Sequence, residues 1–140
     1  MIRIPDLRWV VRYAWMIAAP TAFFWIAYED RSPSTVMGLS AIVCAAFAVT
    51  AIARWRGGIL AERRRWLLET MGVGLATGAL VAPVAVVLIL VKISLHSHGT
   101  PDFTTSDIAQ VMNRLPVWAL AGVLCGEALG LIGVAFSRPE

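Results

Sequence analysis

A polytopic, all-α membrane protein is the fold class this sequence predicts, and three observations carry the expectation. Apolar residues make up 59% of the 140 positions and charged residues only 15%. The charges are bunched between long uncharged runs, a distribution that does not suit a soluble globule. The runs also have the lengths that helices need to cross a hydrocarbon core of about 30 Å. The expected layout is a single domain, 1–140, with transmembrane helices over about 13–28, 35–53, 70–92 and 116–136. One short interfacial amphipathic helix is expected between the third and fourth.

The first segment opens with Pro5, suited to a first helical turn, and sets Arg8 and Arg12 four apart beside Trp9 and Tyr13. No charge follows until after Tyr28, and Trp9, Trp15, Trp25 and Tyr28 supply aromatic belts at the flanks. A cleavable signal peptide is the competing reading. The aromatic-rich core lacks a small-x-small cleavage site, so a first spanning helix is preferred.

A polar turn over 29–34 leads into the second uncharged run, Thr35 to Ala53, where Ala41, Ala45 and Ala48 form a small-residue face. The Gly57-Gly58 pair predicts a turn. Arg54 and Arg56 precede it, and Arg63, Arg64 and Arg65 follow it. Placed next to spans, these five arginines are expected to set topology and meet lipid headgroups.

The longest uncharged run, Thr70 to Val91, carries Gly74, Gly78 and Ala82 at every fourth position. Small residues at that spacing let a second helix approach closely in lipid. Its natural partner is the ladder Gly122, Gly126, Gly130 and Gly133 in the last run. Pro83 removes one helical hydrogen bond, so a kink is expected near 79–83. Gly99 and Pro101 stop this helix. Thr104 or Thr105 then caps a short one, whose Ile108, Val111, Met112 and Leu115 fall at i, i+3, i+4 and i+7. That periodicity describes a one-sided helix lying on the membrane surface or over the bundle mouth. Pro116 opens the fourth span.

Nine of the twelve Lys and Arg residues lie at the termini and in the middle loop, against Arg31, Lys92 and Arg114 on the other side. That asymmetry places both termini in the cytoplasm, in the cytoplasmic (inner) membrane of a multi-pass protein.

Two constellations bear on chemistry. Glu127 stands alone between Arg114 and Arg138, near the middle of the fourth span, where an ionisable group faces protein or a water-filled cavity. Counting depth brings Thr21, Cys44 and about Leu80 to its level, with Thr77 one turn below, and none is a cation. Glu127 is then either a neutral acid hydrogen-bonded within the protein or a carboxylate paired with another subunit. His96, His98 and Asp102 share one loop and could hold Zn²⁺ or Cu²⁺, although no fourth ligand is visible.

The remaining classes are thinly supported. Cys44 and Cys125 form no CxxC pair. No basic face with interleaved aromatics stands free of the spans, so nucleic acid is not an expected partner. Both histidines lie in one loop, which does not suit axial haem ligation, and no cofactor is expected. No Gly-x-Ser-x-Gly, His-Glu-x-x-His or phosphate-cradling loop is present, and the protein is not expected to be an enzyme. In layout the chain is similar to the small multidrug-resistance transporters, which are four-helix dimers with one essential membrane glutamate. In that family the glutamate belongs to the first helix, whereas Glu127 is on the fourth, so no residue role is carried over.

Two functions lead, ahead of a membrane enzyme built on the His96, His98 and Asp102 loop, which would need more convergent polar groups on the same surface. The leading one is a small non-catalytic membrane protein, embedded in the bilayer, that self-associates or serves other membrane subunits as an accessory or scaffold. It calls for an outward glycine or alanine face left over once internal packing is complete. The alternative is a small proton-coupled transporter or channel, working as a homodimer with Glu127 as the proton-binding group. It calls for a polar path to that acid, to which Thr21, Thr77 and Cys44 are the available contributors.

Overall fold

The computed structural model describes residues 2–3, 7–28, 32–58, 60–95 and 103–136. It is predominantly helical, with α1 (Arg8–Ala27), α2 (Pro33–Arg56), α3 (Arg63–Leu95), α4 (Thr105–Asn113) and α5 (Leu115–Phe136). A two-residue ribbon, β1 (Ile2–Arg3) against β2 (Leu60–Ala61), pairs antiparallel with Ile2 opposite Ala61. This ribbon brings the start of the chain to the α2–α3 connection.

Four helical stretches are long and apolar enough to cross a membrane: α1, α2, α3 and the stretch Thr105–Ala135. The helices follow from local chemistry. Pro33 occupies the first turn of α2, where its missing N–H costs nothing. Gly57 and Gly58 end α2, and Gly58 takes a φ of +79°, a left-handed conformation that favours glycine. The 33 residues of α3 rise about 50 Å at 1.5 Å each, so its arginine-rich start forms an extra turn or two on the span. Pro83 lies inside α3 and Pro20 inside α1, and each helix continues through its proline.

The short helix α4 begins at a capping box. The Thr104 hydroxyl accepts from the Asp107 backbone N–H at 3.3 Å, and the Asp107 carboxylate accepts from the Thr104 N–H at 2.8 Å. Only Arg114 separates α4 from α5, so the two stack end to end. The membrane surface is not what Val111 rests on: it is fully buried, in the same cluster as Ile89 and Phe103.

Neighbours follow chain order. α1 packs on α2, α2 on α3, and α3 on α5, the closest pair of all. The buried core is concentrated at one end. In α2 every buried residue lies between Val36 and Ala46, and Val36, Met37, Leu39 and Cys44 join Val81, Ala82, Ala85 and Ile89 of α3 in one cluster. Towards the other end a smaller cluster sets Ala61 and Trp66 against Ile52 and Val134, and clefts lie along α2 and α3, here termed the wedge, with its mouth at the arginine-rich turn.

Candidate functional site

The α3–α5 seam fixes where Glu127 lies. A side-chain carbon added at Gly74 would run into the Gly122 carbonyl, one at Gly78 into the Trp118 carbonyl, and one at Gly126 into the Thr70 carbonyl. Backbone therefore packs directly on backbone, the closest approach two helices can make in lipid. Gly130 faces the Thr70 hydroxyl and Leu67, and a carbon at Gly133 would lie 3.0 Å from the Trp66 indole nitrogen. Ala82, one turn beyond Gly78, is fully buried in the core cluster.

This register sets Gly126 against Thr70 and Gly74, so Glu127 is level with that stretch of α3 rather than with Leu80. The offset is about 10 Å along the helix axis. Counting depth from the cytoplasmic ends places the acid level with Leu80, but glycine-to-glycine docking decides the register. The hydroxyls expected to serve Glu127 are turned elsewhere: Thr21 donates to the Ile17 carbonyl and Thr77 to the Val73 carbonyl, each at 2.7 Å. Cys44 is buried in the core.

Glu127 itself is exposed, on the side of α5 turned away from α3. Val117, Leu120, Leu124, Glu127 and Leu131 repeat at three and four residues and are all exposed. They form a continuous stripe with the heptad spacing of a left-handed helix pair. Among the described residues Glu127 has no hydrogen-bond or ion-pair partner.

The other charged site closes the mouth of the wedge. Arg56, the last residue of α2, donates from its guanidinium to Oε1 of Glu69 on α3, and Arg65 Nε donates to the same oxygen at 2.9 Å. The Arg56 and Glu69 side chains are only 29% and 28% exposed. The second carboxylate oxygen of Glu69 is buried without a hydrogen-bond partner. Trp55, Trp66 and Ile52 complete the border of a cavity of about 520 Å³. Val73 lines this cavity and also two apolar clefts of about 170 and 330 Å³.

Of the five arginines expected at headgroups, Arg54, Arg63, Arg64 and Arg65 are exposed, while Arg56 is committed to the ion pair. His96, His98 and Asp102 lie outside the described residues. Among those that are described, no group of three metal-ligating side chains occurs.

Sequence reasoning passed over two residues. Glu69 reads as the end of a charged turn, and only its place four residues after Arg65 on α3 hints at a paired face. Lys92 reads as a topology marker, yet it is fully buried. Its ammonium donates to the Tyr28 carbonyl at 2.7 Å and lies 4.4 Å from the centre of the Trp25 ring. The helix-capping carbonyl and the ring face both stabilise the buried cation, which pins the end of α1 to α3.

The class these features define is a multi-pass helical membrane protein: a four-helix bundle with an Arg–Glu ion pair spanning the mouth between its second and third helices. Compared with protein-family models, curated proteins and solved structures, the chain matches none.

Proposed function

We propose that the protein is one protomer of a small homodimeric, proton-coupled transporter or channel, with Glu127 as the proton-binding group. The observation that carries this reading is an unpartnered carboxyl in the middle of an exposed apolar stripe on α5. An acid facing lipid is costly, and a second copy of the same stripe relieves the cost. A two-fold axis sets like against like, so the heptad spacing brings the two Glu127 side chains together. One then donates to the other when they share a proton.

The accessory or scaffold reading is less well supported. The glycine ladder that would serve outward association is consumed inside the protomer, against α3. What remains outward on α5 is mostly leucine, isoleucine and valine, with Ala128, Ala135 and one acid among them. In the proposed arrangement the arginine-rich turn and both termini face the cytoplasm from the inner membrane, and α4 stands at the outer mouth. The chain forms a single domain.

Infrared difference spectroscopy on protein in nanodiscs tests the assignment, run beside a mass measurement of the particle. A dimer is expected, with a protonated-carboxyl band that appears as pH falls and is missing in Glu127→Gln. A monomer, or a band that persists unchanged in Glu127→Gln, would overturn the reading.

A further inference from the structure

The wedge between α2 and α3 joins a charged mouth to an apolar floor, and proton binding at Glu127 uses neither. At the mouth, Arg56 and Arg65 share one oxygen of Glu69, so the trio carries a net single positive charge. Arg65 is 68% exposed and keeps donors free on its outer side, and Arg54, Arg63 and Arg64 add to the local potential. Below the mouth, the two hydroxyl residues of the floor turn their polar atoms inward on their own helix. Thr70 donates to the Leu67 carbonyl at 2.9 Å and Thr77 to the Val73 carbonyl at 2.7 Å. The surface they offer the wedge is therefore methyl, alongside Ala48 and Val73. A small polar solute finds nothing to bond there. An alkyl chain finds apolar surface instead, since Val73 borders the mouth cavity and both clefts, and Ala48 and Thr77 line both clefts with it.

We propose that the wedge binds one anionic phospholipid, with its phosphodiester at Arg56 and Arg65 and one acyl chain laid along Ala48, Val73 and Thr77. The single negative charge of a phosphodiester balances the net charge of the trio. A headgroup with its own cation brings that cation among Arg54, Arg63 and Arg64 and is disfavoured. Glu69 acts as a positioning residue: it holds both guanidinium groups at the mouth. This site is separate from the Glu127 stripe and does not depend on it.

Native mass spectrometry of the full chain tests the proposal, with phosphatidylglycerol and phosphatidylcholine of matched chains added in turn. One phosphatidylglycerol is expected to stay bound with about tenfold preference, the size that one to two arginine–phosphate contacts near a membrane surface supply. The preference should vanish in the Arg56→Gln/Arg65→Gln double variant and persist in Arg63→Gln/Arg64→Gln, which removes the same charge from the exposed turn. Ala48→Trp, which fills the floor, should release the lipid with the arginines intact. On the unmodified protein, a short-chain phosphatidylglycerol should bind far more weakly than the long-chain form, which keeps the test decisive if a variant fails to fold. Equal loss in both double variants would reduce the effect to diffuse charge and overturn the site. Retention of lipid in Ala48→Trp, or glycerol phosphate competing as well as the lipid, would also overturn it. So would an Ala48→Trp variant that changes the mass of the protein assembly while its lipid occupancy stays the same, because protein would then fill the wedge.

Discussion

Glycines in this chain look alike in the sequence and differ sharply in what surrounds them. Gly126 faces the Thr70 carbonyl with no room for a methyl group, whereas Gly38 on α2 has nothing within 4 Å of the position a side chain would take. Gly126→Ala is therefore expected to destabilise by about 1–3 kcal/mol through overpacking. Gly38→Ala should be neutral or stabilise by up to about 1 kcal/mol, because alanine loses less backbone entropy in a helix. Unfolding of both variants in mixed micelles measures the difference, and equal effects would contradict the seam. Periodicity made the two glycine faces legible, since spacing of four on two apolar runs leaves few other uses. Lys92 and Glu69 were not legible in the same way. A charge at the end of an apolar run has the same appearance whether it snorkels to water or is buried under a tryptophan.

At the level of the element, α4 shows what local pattern reveals and what it hides. Its start was readable from Thr104 and the apolar periodicity that follows, because capping is decided within four residues. Its setting was not, because the same one-sided face suits a membrane surface, a bundle mouth or a neighbouring helix. Here Val111 lies among Ile89 and Phe103, and the break at Arg114 is too short to turn α4 away from α5. The capping box is the part that a substitution can isolate. Thr104→Ala is expected to cost about 1 kcal/mol. The loss should be local: backbone amide exchange speeds up across α4 while α5 keeps its protection. Uniform acceleration in both would mean that they unfold as one helix.

For the whole molecule, the uneven core matters most. Apolar residues from α1, α2, α3 and α4 meet at one end, and at the other α2 is held to α3 across the wedge by Arg56 and Glu69. The number of spans was readable from run lengths; that clefts lie between α2 and α3 was not, since both runs are apolar throughout. A double-mutant cycle over Arg56→Gln and Glu69→Gln should return a coupling of about 0.5–1 kcal/mol, modest because both side chains keep some contact with solvent. A coupling of zero would leave the wedge held by apolar contacts alone. The ribbon between Ile2–Arg3 and Leu60–Ala61 bears on a different matter, the order of events during synthesis. The first strand has no partner until residue 61 has left the ribosome, by which time α1 and α2 have already been made as a hairpin. Closing the ribbon then acts as a latch on insertion: a chain in which only one of the two helices has crossed the bilayer leaves the two strands on opposite sides of it, unable to pair.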